Sequence, residues 1–251
     1  MRNIQAVSWS DNELKTSNGT SMIMRSLPRL VTGLVVIPAA LVLIAARLTS
    51  GATSLRPVEL PTPAFDAGLS QVAADDTAYF AGGCFWGIEG VFEHVRGVKS
   101  AVSGYSGGTR ASADYEQVSS GSTSHAETVR VIYDPGQVSF GQLLHVFFSV
   151  AHDPTQLNRQ GPDRGPQYRS AIFFNGPEQQ QTTQRYIAQL TAARFFDRPI
   201  VTQLVKLTAF YPAEEYHQGY MVHHPNQPYI VFHDAPKVAA LKKTFASLYK
   251  D

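Results

Sequence analysis

Cys84, the single cysteine of this 251-residue chain, is the residue whose type and position most favour chemistry. It follows Gly82 and Gly83, which permit a sharp turn and leave a side chain open to a substrate. A lone cysteine is commonly a buried small apolar residue. This one lies between a predicted strand and a predicted helix, where unpaired N–H groups and the helix dipole favour a thiolate. We therefore predict a nucleophilic Cys84 with a pKa below the free value of about 8.5.

Apolar patterns on both sides of the cysteine predict the elements that position it. Thr77, Tyr79 and Ala81 alternate before it, which indicates a strand. After it, apolar residues recur at the spacing of one helix face, namely Ile88, Val91, Phe92 and Val95. A strand should therefore end, and a helix should begin, close to Cys84.

The rest of the domain continues to alternate between strands and helices. Further strands are predicted at 98–104, 127–133, 170–174 and 200–207. Further helices are predicted after Ser139 as N-cap, from Pro177, and from about Val238. Up to Phe174 the order is strand, helix, strand, strand, helix, strand. This order predicts an α+β fold, a ferredoxin-like two-layer sandwich with a βαββαβ core, added helices and an antiparallel sheet.

The N-terminal part differs from the domain in composition. Residues 30–46 are uncharged and mostly apolar, with Arg25 and Arg29 before them and small residues after them. These are the parts of a secretory signal, although the run approaches the length of a membrane span of about 20 residues. A cleaved signal and a retained anchor both stay open.

The predicted organisation therefore has four parts. They are a non-structural extension at 1–24, a signal peptide or membrane anchor at 25–54, a linker rich in proline and small residues at 55–75, and a domain at 76–251. We expect this domain to be exported to the periplasm or the extracellular space, either free or anchored through residues 30–46.

Motifs along the domain resemble those of one enzyme family. The run Gly82-Gly83-Cys84-Phe85-Trp86-Gly87 is similar to the active-site signature of the A-type peptide-methionine sulfoxide reductases. Further motifs follow in the family's order at 104–108, 115–118, 125–127, 133–135, 152–154, 167–170 and 211–218. The resemblance covers about residues 76–249. It implies thiol-dependent reduction of methionine-S-sulfoxide, free or in proteins, which repairs proteins after oxidation.

The resemblance also implies roles for the polar residues. Reduction needs a nucleophile for sulfur, which would be Cys84, and a proton for oxygen. Glu127 would supply that proton if an apolar strand face raises its pKa. Tyr115 and Tyr168 resemble phenols that hydrogen-bond the sulfoxide oxygen, as in an oxyanion hole. Asp163 resembles the supporting acid near that oxygen.

Two aromatic residues are similar to the family's methyl pocket. Phe85 and Trp86 would form the wall against which the sulfoxide methyl group packs. Aromatic residues at a helix start are also ordinary core residues, and Phe85 could serve both purposes.

The sequence departs from many family members in the regeneration of the enzyme. Attack would leave Cys84 as a sulfenic acid, which many relatives resolve with a second cysteine near the C-terminus. The stretch 223–230 has none, and Ser119 stands where some relatives carry a further cysteine. We expect no cofactor. We expect an external thiol to reduce the sulfenic acid, either a thioredoxin-like protein or a small thiol of the glutathione type.

Two other function classes stay open. A binding module would capture methionine or its sulfoxide without turnover, but it would have no use for a proton donor. A peroxidase with one cysteine would need a positive partner near its thiolate, and no arginine adjoins Cys84 in the sequence. Turnover of methionine sulfoxide with dithiothreitol separates the three classes.

Composition argues against several kinds of partner. The net charge is +1 without a basic block, so we expect no nucleic acid. A single cysteine excludes a disulfide framework and a zinc site built from several thiolates. His217, His223 and His224 lack the spacing with an acid that a metal site needs, so we expect no metal. We expect a monomer that acts on oxidised methionine.

Overall fold

The structure is a computed structural model that describes residues 60–71 and 74–251. The predicted extension at 1–24 and the predicted signal or anchor at 25–54 lie outside the described residues. No helix in the described part of the chain is long and apolar enough to cross a membrane.

The described residues form eight strands and six α-helices. The strands are β1 (Asp76–Gly82), β2 (Val98–Ser106), β3 (Ala126–Tyr133), β4 (Arg159–Gln160), β5 (Asp163–Arg164), β6 (Ser170–Phe174), β7 (Gln203–Lys206) and β8 (Phe210–Pro212). The helices are α1 (Phe85–Glu93), α2 (Tyr115–Ser119), α3 (Phe140–Val146), α4 (Pro177–Ala192), α5 (Tyr220–His223) and α6 (Ala235–Thr244). Shorter helical turns include Pro166–Tyr168 and the π-helical turns Phe147–Ala151 and Ile230–Asp234.

Six of these strands form one sheet in the order β7-β6-β1-β3-β2-β8, and β4 pairs with β5 in a separate ribbon. Within the sheet, β1, β2, β3 and β6 pair only in antiparallel fashion with one another, as predicted. β7 is parallel to β6, because the chain returns through α4 before it joins the edge of the sheet. The sheet is therefore mixed, and the α+β class is confirmed.

Apolar side chains of β1 and α1 form the centre of the core. Phe80 of β1 stacks on Phe92 of α1 with ring centroids 4.8 Å apart, and it packs on Phe147 at 4.9 Å. The predicted apolar face of α1 is buried throughout. Full burial of one such side chain contributes about 1.5–3 kcal/mol. These contacts hold the strand and the helix whose junction contains Cys84.

Most predicted elements are confirmed, with differences at their ends. Ser139 caps α3, and its Oγ accepts a hydrogen bond from the N–H of Gln142 at 3.1 Å. β2 continues two residues further than predicted, to Ser106. The last helix ends at Thr244. The glycine- and serine-rich loop after β2 contains α2, which no apolar period indicated.

Residues 60–71, which belong to the predicted linker, pack on the domain. The hydroxyl of Tyr186 donates to the carbonyl of Pro61 at 2.8 Å, and Gln189 Nε2 donates to the carbonyl of Thr62 at 2.9 Å. The guanidinium of Arg185 lies 4.1 Å from the ring centroid of Phe65. The folded unit therefore includes a segment ahead of the predicted domain start at residue 76.

Candidate active site

Cys84 lies in the turn between β1 and α1, where it is the N-cap residue of α1. Gly83 before it has a φ of +101°, and a Cβ at Gly83 would lie 2.5 Å from Cγ of Gln160. Only glycine fits this backbone and this close approach without strain. Cys84 is 8% exposed, so its sulfur is less open than the two glycines led us to expect.

The pKa of Cys84 is shifted in the direction opposite to the prediction. Burial raises the pKa of this thiol well above its ordinary value, and the carboxyl groups of Glu127 and Asp234 raise it further. The backbone N–H of Trp86 and the ammonium of Lys237 lower it by less. The predicted decrease is wrong, because desolvation of the sulfur outweighs the helix N-terminus. Cys84 therefore rests as a thiol.

Glu127 projects from β3 to the first turn of α1. Its Oε2 accepts a hydrogen bond of 3.0 Å from the N–H of Phe85, the residue after Cys84. Burial raises the pKa of Glu127 to about 8, with smaller contributions from Asp163 and Asp234, while the Phe85 N–H lowers it. The predicted rise is present, so most Glu127 side chains are carboxylic acids at neutral pH.

Tyr115 and Tyr168 approach Cys84 from two other segments. Tyr115 is the first residue of α2, and Tyr168 ends the helical turn Pro166–Tyr168. For both phenols, burial is the main cause of a raised pKa, and the charge of Glu127 is the next. A charge on Cys84 raises both values as well. The structure therefore brings both tyrosines to the pair formed by Cys84 and Glu127.

Asp163 also lies near Cys84, where it is hydrogen-bonded to Tyr229, a residue that was not predicted from the sequence. The hydroxyl of Tyr229 donates a hydrogen bond to Asp163 Oδ2. Burial raises the pKa of Tyr229, and charges on Cys84 and Asp163 raise it further. Tyr229 is thus a third phenol near the cysteine. The aromatic density of residues 210–232 was the available signal for it.

The two predicted wall residues differ in their surroundings. Phe85 is fully buried, and its ring packs on Tyr105 and His217. Trp86 is partly buried, and its ring lies parallel to Tyr220 at 3.7 Å and edge-on to Tyr229 at 6.0 Å. Phe85 is therefore a core residue, whereas Trp86 is only partly buried and borders Tyr229, the phenol whose pKa responds to Cys84.

His217 holds the indole of Trp86, a role that its sequence position did not suggest. Trp86 Nε1 donates to His217 Nδ1 at 3.2 Å, so the imidazole accepts there and carries its proton on Nε2. Burial lowers the pKa of His217, which keeps it neutral. Among residues 60–71 and 74–251, no group of three His, Cys, Asp or Glu side chains is arranged to hold a metal ion.

Comparisons of the sequence agree with this geometry. Residues 76–249 match the family model described as peptide methionine sulfoxide reductase. The peptide methionine sulfoxide reductase MsrA 2 of Mesorhizobium japonicum is 56% identical over 176 residues, which are 70% of this chain and 90% of that protein. The MsrA 2 of Synechocystis sp. is 51% identical over 193 residues, which are 76% of this chain and 90% of that protein.

Solved structures agree as well. Methionine sulfoxide reductase A of Corynebacterium diphtheriae has a TM-score of 0.53 and 37% identity, covering 68% of this chain and 86% of its own. Mxr1 from Saccharomyces cerevisiae in reduced form has a TM-score of 0.56 and 29% identity, covering 63% of this chain and 90% of its own. With its matching motifs and the placement of Cys84 beside Glu127, the chain belongs to the peptide methionine sulfoxide reductase A family.

Proposed function

We propose that this chain is a thiol-dependent oxidoreductase that converts methionine-S-sulfoxide, free or in proteins, back to methionine. The observation that supports this function most is the buried Glu127 carboxyl group, hydrogen-bonded to the N–H that follows Cys84. It places an acid of pKa about 8 next to the chain's single thiol. Repair of oxidised proteins follows from this activity.

Cys84 and Glu127 carry the proposed chemical step. The Cys84 sulfur attacks the sulfoxide sulfur while Glu127 gives its proton to the sulfoxide oxygen. The thiol proton passes to the Glu127 carboxylate, which ends the step protonated. The hydroxyl group formed from the sulfoxide oxygen then moves from the methionine sulfur to the Cys84 sulfur, and the new S–S bond breaks with its electron pair on methionine. Methionine is thereby reduced by two electrons, and Cys84 is oxidised by two to a sulfenic acid.

The phenols stabilise the oxygen in this step. Tyr115 and Tyr168 are proposed as donors to the sulfoxide oxygen, which becomes more negative as the S–O bond breaks. Burial raises the pKa of both, so they stay protonated and able to donate. Asp163 is proposed to support the site by accepting the hydrogen bond of the Tyr229 hydroxyl, which holds that phenol in place near Cys84.

The pocket is handed, and we predict reduction of the S epimer alone. In this proposal the sulfoxide sulfur lies at Cys84, its oxygen at the phenols and its methyl group at Trp86, and only one epimer can adopt this arrangement. The test is incubation of racemic methionine sulfoxide with the enzyme and dithiothreitol, followed by chiral analysis of the residual substrate. Complete loss of one epimer is expected. Equal loss of both would contradict this pocket, and binding without loss of either would make the chain a binding module.

Regeneration is proposed to need an external thiol. Cys84 is the single cysteine in the sequence, so no internal disulfide can form. The reductant would be a thioredoxin-like protein or a small thiol of the glutathione type, and no further cofactor is proposed. Each sulfenic acid would consume two thiol groups and release water.

The finer fold assignment is also a proposal. The order β6-β1-β3-β2, with β3 antiparallel between β1 and β2 and α1 joining those two strands, supports a ferredoxin-like core. In this assignment β7 and β8 are additions at the two edges. A crystallographic sheet without β3 between β1 and β2 would contradict it.

We propose that residues 25–54 direct export, leaving the domain in the periplasm or outside the cell. The support is the apolar run 30–46 with Arg25 and Arg29 ahead of it. A fusion of residues 1–75 to a reporter that is active only after export should give signal in a bacterial host. The same fusion without residues 25–54 is the control. If neither fusion gave a reporter signal, the proposal of export would be contradicted.

A further inference from the structure

A buried ion pair lies against the helix that Cys84 caps. Asp234 ends the π-helical turn Ile230–Asp234, Lys237 lies in the first turn of α6, and both elements pack on α1. Lys237 Nζ is 3.0 Å from Asp234 Oδ1, and the side chains of Lys237 and Asp234 are 18% and 0% exposed. Neither residue has a role in the function proposed above.

The Asp234–Lys237 ion pair packs directly against the first turn of α1. A Cβ at Gly87 would lie 2.1 Å from Asp234 Oδ1 and 2.7 Å from Lys237 Nζ. Gly87 is the third residue of the helix that begins directly after Cys84. The glycine therefore admits both ionic groups to the turn that holds the reacting sulfur.

Asp234 alone would be unfavourable at this place. Its Oδ2 is buried and has no hydrogen-bond partner among the described residues. An incompletely paired buried carboxylate keeps its influence on neighbouring groups, because little solvent screens it. The negative charge of Asp234 opposes ionisation of the Cys84 thiol, whereas the positive charge of Lys237 favours that ionisation. The ammonium thus offsets a negative charge that the thiolate would otherwise meet.

We propose that Lys237 is a positioning residue that neutralises Asp234 against the first turn of α1, so that Cys84 forms and departs as a thiolate when an external thiol regenerates the enzyme. The inference rests on the proposed function only in taking Cys84 as the reacting sulfur. No arginine adjoins Cys84 in the sequence. In this proposal the positive charge near the thiolate comes from Lys237.

The chemistry of regeneration explains why this charge balance matters. A first thiol attacks the Cys84 sulfenic acid, forms a mixed disulfide and releases water. A second thiol attacks the outer sulfur of that disulfide, forms the external disulfide and displaces Cys84 as a thiolate, which then takes a proton. The external thiols are oxidised and Cys84 is reduced. Displacement is faster when the departing thiolate is more stable.

Alkylation of Cys84 by iodoacetamide tests this without sulfoxide turnover, because the chain has no other thiol. In the full chain, Lys237→Met should slow alkylation at pH 8 about tenfold, because a smaller fraction of Cys84 is then ionised. Asp234→Asn should accelerate it by a similar factor. Lys242→Met, on the same helix but paired with Asp251 at the surface, is the matched control and should leave the rate unchanged.

A double variant separates charge from packing. Asp234→Asn combined with Lys237→Met removes both charges and should alkylate at close to the native rate, slower than Asp234→Asn alone. This comparison also serves if Lys237→Met alone does not fold, because the double variant leaves no unpaired buried charge. Lys237→Arg should stay near the native rate. Opposite responses of the two single variants are not expected from a packing defect.

The alkylation measured at pH 8 is repeated from pH 6 to pH 10, because several ionisable groups surround the sulfur and the ion pair. The groups that interact with one or the other are Glu127, Asp163, Asp234, Lys237, His152, His233, Tyr115, Tyr168 and Tyr229. A native alkylation rate in Lys237→Met, or equal rates in Asp234→Asn and the double variant, would overturn the proposal. Neither result would affect the proposed reductase function, since no sulfoxide takes part.

Discussion

A Cys84→Ser protein is expected to release methionine from its sulfoxide at less than about 1% of the native rate, because a serine hydroxyl is neither ionised nor a soft nucleophile at neutral pH. The fold should persist. Cys84 is an N-cap residue, and serine is among the residues that N-cap positions favour. Methionine formed in the presence of dithiothreitol is the quantity to measure.

Substrate binding provides the control for this variant. Glu127, Tyr115 and Trp86 are unchanged in Cys84→Ser, so the protein should still bind methionine sulfoxide. Binding is measurable through the fluorescence of Trp86 in a Trp9→Phe background, since the chain has two tryptophans. A Cys84→Ser protein that turned over at more than a few per cent of the native rate would remove Cys84 from the mechanism.

Glu127→Gln is expected to slow reduction by about 100-fold to 10,000-fold, the usual range for the loss of a general acid. Glutamine has the same shape and still accepts the hydrogen bond from the N–H of Phe85, but it has no proton of suitable acidity. The measurement is the rate of the first turnover, which excludes regeneration. Glu178→Gln, at the exposed start of α4, is the matched control and should behave as the native protein.

The role of Glu127 as proton donor also predicts how the first-turnover rate changes with pH. The pKa of Glu127 is raised to about 8, so the carboxylic acid is present below that pH and is lost as the pH rises through it. First-turnover rates should therefore fall above about pH 8, and this fall should be missing in Glu127→Gln. A variant within tenfold of the native rate, or one that kept the alkaline fall, would assign the proton to another group.

The sequence predicted the elements around the cysteine because their apolar patterns are regular. β1, α1, β3 and β6 were predicted close to their actual bounds, since each has a continuous buried face. α2 was not predicted, because it is one turn in a polar loop and begins with Asp114 as its cap. The parallel addition of β7 depends on the path of α4 and not on any local pattern.

The sequence indicated which residues to place at the site, but not their burial or the charged groups around them. Motifs were sufficient to select Cys84, Glu127, Tyr115, Tyr168 and Asp163. The pKa of Cys84 was predicted in the wrong direction, because burial and the carboxyl group of Asp234 come from tertiary packing. Tyr229 and the Asp234–Lys237 pair lie C-terminal to the motifs. His217 lies in the motif at 211–218, but the motif does not indicate its hydrogen bond to Trp86.

A single turnover without reductant tests the central claim most directly. The enzyme is mixed with excess methionine-S-sulfoxide and a sulfenic-acid-specific trap, and both the protein and the methionine formed are analysed by mass spectrometry. One methionine per chain is expected, together with one trapped sulfenic acid on Cys84 and no intramolecular disulfide. Stoichiometric methionine alongside an unmodified Cys84 would mean that the oxygen went elsewhere, and it would contradict the mechanism.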